Sequence, residues 1–332
     1  MSILRLSHLA CATLVAASCL PAHAQSSVSV YGIADMSVGR TQAPGAEAVS
    51  GVDSGKLSTS FWGIGGQEDL GGGLSAVFKF EQFVRVNTGA VGRFDGDAAF
   101  ARTSSVGLSS KDLGTLTFGR NSTPLFVSTL MFNAFADSFG YSPSIRHYFS
   151  SNTVTGDTGW NNSVMYASPS FGGLRFGAIA ALKTGDAETD GRNVGVNVSY
   201  GTGPLAASLV VQDVKKDSVA AAVDDTRTTQ LGASYDLGTA KLFAQLGTVD
   251  NKTTDVSYDI AGLGVRVPVG AGAAIAQWSR IAPDTNDDRN TISIGYVHSL
   301  SKRTDLYAVA MHDKIDGVGS GKSYSLGIRH KF

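Results

Sequence analysis

Apolar and polar residues alternate at every second position along most of this chain. In "SVSVYGIADMSVG", Val28, Val30, Ala34, Met36 and Val38 share one parity. In "GLSAVFKFEQFVRV", Leu74, Ala76, Phe78, Phe80 and Val84 take one face, while Ser75, Lys79, Glu81 and Arg85 take the other. In "YSLGIRHKF", Tyr324, Leu326, Ile328, His330 and Phe332 alternate with Ser325, Gly327, Arg329 and Lys331. A period of two is the signature of a strand with a different environment on each face. Convincing helical periodicity is scarce.

The punctuation between these segments falls into two classes. Seven links are short: "EDLGGG" at 68–73, "KDLGT" at 111–115, "SFGG" at 170–173, "YGTGP" at 200–204, "DLGT" at 236–239, "PVGAG" at 268–272 and "SLSKRT" at 299–304. Eight are longer and polar, around 40–57, 87–98, 121–161, 184–192, 215–226, 249–254, 282–290 and 314–321. The two classes alternate, and together they join sixteen strands. Short turns at one end and long loops at the other are the layout of an outer-membrane barrel, whose strands cross with about 9–11 residues each. The even count puts both termini at the short-turn end. A soluble sandwich would bury the apolar face in a core, and periodicity alone does not separate the two.

The N-terminus separates them further. Arg5, the apolar run "LACATLVAASCLP" and the small residues of "AHA" before Gln25 read as a signal peptide over 1–24, leaving a single barrel domain over 25–332. A degenerate lipoprotein site at Cys19 is the rival reading. Cys11 and Cys19 are the only cysteines, both inside the leader. The mature chain therefore has no thiol for disulfides, catalysis or Cys-ligated zinc. No later window approaches 18 uncharged apolar residues, so no helical anchor is expected. Gly makes up 40 of 332 residues, about 12% against a usual 7% or so. Basic and acidic residues nearly balance at 27 to 28, which gives no electrostatic case for nucleic acid.

Closure gives the terminal Phe332 a reason: the last strand pairs with the first and the seam leaves no edge. Tyr324, Leu326, Ile328 and Phe332 are then expected to face lipid, with His330 near the interface. Catalytic signals are missing, since there is neither a G-x-S-x-G elbow nor an H-E-x-x-H pair. No enzyme activity, cofactor or metal is expected. His147 reads as a polar loop residue. "PDTNDDRN" at 283–290 has Asp284, Asn286 and Asp288 at calcium-loop spacing, but Arg289 follows where the loop needs Gly, with no Glu behind it.

The ordered segments "SVYGIAD", "GQEDLGGGLSAVFKFE" at 66–81, "RTSSVGLSSKDLGTLTFGRNSTPL" at 102–125, "NNSVMYASPSFGGLRFGA" at 161–178 and "GIRHKF" at the end resemble the general porins of Gram-negative outer membranes, of the beta-proteobacterial type. The resemblance implies a homotrimer of sixteen-stranded antiparallel transmembrane barrels, with the long third loop folded into the lumen. It also implies passive diffusion of ions and small hydrophilic solutes, outer loops facing lipopolysaccharide, lipid around the wall, and recognition of the terminal aromatic strand at Phe332 by the barrel-assembly machinery. The link over 121–161 fits the inserted loop. It is the longest, and "TPLFVSTLMFNAFADSFGYS" is too apolar to hang in water.

Such pores oppose acidic residues on the loop to basic residues on the wall. Carried over by resemblance, Asp137 in "ADSFG" is the acidic constriction residue and Arg102 the basic one. Lys79, Glu81 and Arg85 are expected to line the lumen. Several usual basic positions are Phe61, Gly65, Gly159 and Met165 here, and an acidic one is Val127. A weakly charged, weakly selective eyelet is therefore expected. Arg120 shares parity with Leu116 and Phe118, and a lone outward Arg at mid-membrane costs about 2–4 kcal/mol. It is expected at or near the trimer contact, opposite a carboxylate. Six aromatics in the loop, Phe132, Phe135, Phe139, Tyr141, Tyr148 and Phe149, leave open a substrate-specific channel with an aromatic track.

Overall fold

The computed structural model describes residues 26–150, 153–154, 156–182, 192–215, 225–285 and 287–332. The leader over 1–24, Asn286 and the centres of two predicted outer loops lie outside the described residues. The strands are β1 (Ser27–Thr41), β2 (Val49–Ser54), β3 (Phe61–Gly71), β4 (Leu74–Arg85), β5 (Ala90–Val91), β6 (Thr103–Ser110), β7 (Gly114–Ser122), β8 (Gly159–Ala167) and β9 (Leu174–Ala181). They continue as β10 (Val194–Thr202), β11 (Leu205–Val214), β12 (Thr226–Asp236), β13 (Lys241–Asn251), β14 (Val256–Val269), β15 (Gly272–Pro283), β16 (Arg289–Ser299), β17 (Thr304–Ile315) and β18 (Gly319–Lys331). Two short helices, α1 (Pro124–Met131) and α2 (Pro143–Phe149), fall between β7 and β8.

The eighteen segments make sixteen staves. β2 and β3 both pair with β1, at Met36–Thr41 and Ser27–Ile33 respectively, so they are one stave broken at residues 55–60. β5 is a two-residue pairing with the end of β4. Every ladder is antiparallel, and β1 closes on β18 from Ile33↔Lys331 to Arg40↔Tyr324. Gly32 and Phe332 add reciprocal backbone hydrogen bonds of 3.2 and 3.1 Å to the seam. Closure satisfies every ladder group internally, which a lipid surround demands.

All seven predicted short turns are found. Gly71, Gly72 and Gly73 all have φ between +61° and +83°, a run that only glycine takes cheaply. Two links expected to be long are in fact tight: only residues 252–255 join β13 to β14, and only 316–318 join β17 to β18. Their polar composition belongs to the ends of the flanking strands.

The alternation sorts as expected. Leu246 is 59% exposed on the outside while Gln245 is 2% exposed on the inside, and Leu326 and Ser325 repeat the contrast at 63% and 5%. An apolar outer band with a polar inner face is the arrangement of a barrel in lipid. His330 faces outward, with Nδ1 2.9 Å from Thr304 Oγ1.

Candidate functional site

The segment between β7 and β8 is folded into the lumen. Each of its helices starts on a hydroxyl cap followed by proline. Thr123 Oγ1 accepts from Phe126 N at 3.1 Å, and Ser142 Oγ accepts from Ile145 N at 3.2 Å. Between them Asn133 folds the chain back on itself. Its Oδ1 accepts from Phe135 N and Ser142 Oγ, and its Nδ2 donates to Ala136 O. Phe132, Phe135, Tyr141 and Tyr148 are all at most 3% exposed, and Phe139 and Phe149 pack on Phe126. The loop aromatics bind the insert together and to the wall.

The wall is cut to receive this insert. A Cβ on Gly232 would stand 2.4 Å from the Phe132 ring, and one on Gly247 would stand 2.1 Å from Tyr148 Oη. Wall glutamines meet its polar groups: Gln230 donates to Thr129 Oγ1 at 2.8 Å, Gln245 to Thr129 O at 3.0 Å, and Gln277 to Ser144 Oγ at 2.6 Å. A polar lumen face can thus bury a loop without orphaning its backbone.

His147 is fully buried between Ser279 Oγ, 3.1 Å from Nδ1, and Thr291 Oγ1, 2.9 Å from Nε2. Thr291 Oγ1 donates to Asp313 Oδ1 at 2.9 Å and Ser279 Oγ to Ala261 O at 2.8 Å, so both hydroxyls are fixed by partners beyond the ring. Burial first, then the neighbouring Arg289 charge, lower the His147 pKa to about 3, so the ring is neutral. It is a packed strut, not the polar loop residue expected from the sequence.

A second segment also turns inward, without any signal in the pattern of residues. Residues 55–60, the break between β2 and β3, wrap around the buried Asp35. Its carboxylate accepts from Leu57 N and Ser58 N, both at 3.3 Å, and from Tyr307 Oη at 2.9 Å. The insert docks on this segment: Lys56 O accepts from Ser138 Oγ at 2.7 Å and Gly140 N at 3.2 Å. Asp137 is held there too, by Ser58 Oγ at 3.0 Å and Thr59 Oγ1 at 3.3 Å.

Arg102 stands on the other side of the same segment. Its guanidinium carbon lies 4.1 Å over the Phe61 ring, and Nε is 3.1 Å from Glu81 Oε2. Glu81 also accepts from Tyr31 Oη at 2.8 Å and lies 4.0 Å from Lys79 Nζ. Arg102, Arg85 and Thr59 border one recess of about 240 Å³, closed by Phe126 and Phe139 of the insert. Arg85 is tied to Asp95 and to Val91 O. The structure gathers Arg102, Asp137, Glu81 and Arg85 around the 55–60 segment, with Lys79 one inward position below Glu81. Arg102 and Asp137 each have other partners. The insert's lumen side shows Val127 and Met131, 38% and 55% exposed, in place of charge.

Arg120 meets its carboxylate within the chain. Beside a β-bulge between Gly119 and Asn121, it donates to Ala101 O, Gly159 O, Asn161 Oδ1 and Asp157 Oδ2. Asp157 is shared with Arg93, 2.8 Å away, which Asp97 also grips at 2.9 Å. Burial alone would raise the Asp157 pKa, but Arg120 and Arg93 outweigh it and hold the carboxyl below its ordinary range.

The described residues thus form a closed barrel with two inward segments meeting across its lumen. A model of the Gram-negative porin family matches residues 10–317. The chain belongs to the Gram-negative porins. It is an outer-membrane porin, a channel for passive diffusion of solutes, and family and fold point to a channel rather than an enzyme. Outer membrane porin protein 32 of Delftia acidovorans is 34% identical over 343 residues, covering 94% of this chain and 95% of that one. An outer membrane porin of Bordetella pertussis is 28% identical, with 96% and 99% covered. The solved anion-selective porin from Comamonas acidovorans superimposes with a TM-score of 0.80 at 29% identity, over 93% of this chain and 100% of that chain.

For this porin, some missed features had readable signals. Thr123-Pro124 and Ser142-Pro143 are helix starts. The carboxylate partners of Asp35 lie 22 to 272 residues away and the ring partners of His147 132 and 144 residues away, which no local pattern announces.

Proposed function

We propose that the constriction lies between the insert and the 55–60 segment, with Arg102 and Asp137 as its charged pair and Lys79, Glu81 and Arg85 lining the adjoining wall. The observation that carries this is the docking of Ser138, Gly140 and Asp137 onto Lys56, Ser58 and Thr59. Opposed but separately anchored charges give a weak transverse field. Arg102 is offset by Glu81, and the positions usually basic are Phe61, Gly65, Gly159 and Met165. The eyelet is therefore a weakly selective one for small hydrophilic solutes. The buried aromatics argue against a solute-specific track, and saturable block of conductance by one sugar or organic acid would restore that reading.

The working unit is a homotrimer embedded in outer-membrane lipid, with its outer loops against lipopolysaccharide. Arg120 lies near the subunit contact. Its intrachain pairing with Asp157 removes the need for a partner carboxylate, so its outward parity now carries that placement. Phe332 is the assembly signal, read by the barrel-assembly machinery; its pairing with Gly32 at the seam supports this. Deleting Phe332 should lower the yield of folded trimer in the outer membrane while leaving the conductance of what assembles unchanged. A normal yield would contradict it.

A further inference from the structure

Below the insert, at the short-turn end of the lumen, cations gather without carboxylates to match. Lys241 and Arg266 are register partners on β13 and β14, so their side chains leave the inner wall side by side. On β17 and β18, Asp305 and Arg329 are also register partners and form an ion pair at 2.7 Å. Lys331 occupies the next inward position. The charges of Arg329 and Asp305 reach Arg266, and that of Lys331 reaches Asp305. Asp305 is already engaged by Arg329 and by Ser299 Oγ at 3.0 Å. Among the described residues neither Lys241 nor Arg266 makes an ion pair; Lys241 only leans over the Phe243 ring, 5.4 Å from its centroid. Between the two pairs of strands the wall is Ala273 opposite Val297, side chains with no acceptor to offer. Asp236, the register partner of Lys241 on β12, accepts from Gly238 N at 2.8 Å and makes no ion pair with that lysine among the described residues. Four cations therefore meet two carboxylates, in a lumen where like charges at short range repel more than in open water.

Arg329 is held by Asp305 and by Ser58 Oγ at 2.9 Å and adds only its charge. We propose that this wall is a binding site for small anions carrying two or more charges, held by Lys241 and Arg266. The site rests on the porin reading, because it faces solutes only if the lumen conducts. A multiply charged anion can bridge cations set apart on neighbouring strands, which a single chloride cannot, and an Arg fork suits two acceptor oxygens at once.

The test is inorganic pyrophosphate titrated onto the porin in a planar bilayer in about 0.1 M KCl, where the Debye length is about 10 Å. The parent should show concentration-dependent loss of current, and K241Q/R266Q should need at least tenfold more pyrophosphate for half the effect. K241R/R266K should match the parent, and block should fade in about 1 M KCl as the Debye length drops to about 3 Å. Equal sensitivity in the parent and K241Q/R266Q, both migrating as folded barrels in detergent, would overturn the site, as would a conducting parent that pyrophosphate does not touch. If the double variant fails to fold, R266Q is read by the same criterion. A parent that conducts no KCl would overturn the porin reading instead.

Discussion

Arg102 and Arg266 enter the same lumen in opposite company. Arg102 lies on Phe61 and is paired with Glu81. Arg266 has Lys241 beside it and no ion pair among the described residues. The contrast extends around each of them. Near the insert and above it, Arg85, Arg93, Arg120, Arg146 and Arg289 are all tied to aspartates. There the guanidinium serves as a strut that fixes loops in place. At the short-turn end, Arg329 is held by Asp305, while Lys241 and Arg266 make no ion pair among the described residues.

If paired cations exist to hold the insert, pushing the insert off its wall should blur the difference between the two regions most. Gly232→Leu puts a side chain where Phe132 now lies, and overpacking of this kind costs about 1–3 kcal/mol. The expected outcome is a lower melting temperature of the detergent-solubilised barrel and a noisier single-channel current. A silent substitution would mean that Phe132 does not anchor the insert.

Freeing paired cations directly should have the next largest effect. Asp157→Asn leaves Arg93 and Arg120 without their shared carboxylate, at a cost of about 1–3 kcal/mol. The outer loops should then resemble the free-charge wall below, with lower thermal stability and a shift toward anions. The sign with pH follows from the depressed pKa of Asp157. Its contribution is complete above the unfolded value of about 4 and is lost only as pH falls through the lower folded value. Melting at mildly acidic pH should therefore not distinguish the parent from its value at neutrality on account of this residue.

His147 also loses its contribution on acidification, but at higher pH. Its folded pKa of about 3 lies below the unfolded value of about 6.5. The unfolded chain thus binds the proton more readily. The stability that the neutral ring contributes is full above about 6.5 and declines as pH falls toward about 3. His147→Gln keeps a hydrogen-bonding side chain and cannot titrate in this range. Melting curves between pH 7.5 and pH 4 should slope less for the variant, and parallel curves would remove His147 as the cause.

The staves of this barrel were legible because lipid and lumen impose a two-residue period that survives along every strand, from Val28 to Phe332. Six of the seven tight turns were legible through glycine, and "SLSKRT" at 299–304 through its polar residues. The inserted segment could be chosen by length and apolar content, yet its seating could not, because His147 acts through Ser279 and Thr291, supplied by distant strands. The inward 55–60 segment was hidden for a related reason. "SGKLST" reads as a polar loop, and only Asp35, two residues beyond a seemingly ordinary strand position, tells the backbone where to turn. Arg120 shows the limit of parity arguments: it sits at a β-bulge, and its partner Asp157 lies at the far end of the insert.

In the proposed eyelet the fixed charges of Arg102 and Asp137 face one lumen and nearly cancel. The reversal potential in a fixed KCl gradient, measured on the parent, Arg102→Ala and Asp137→Asn, tests it most directly. A small reversal potential in the parent, moved toward cations by Arg102→Ala and toward anions by Asp137→Asn, is the predicted result. A steep anion-selective potential in the parent that neither substitution moves would contradict the account.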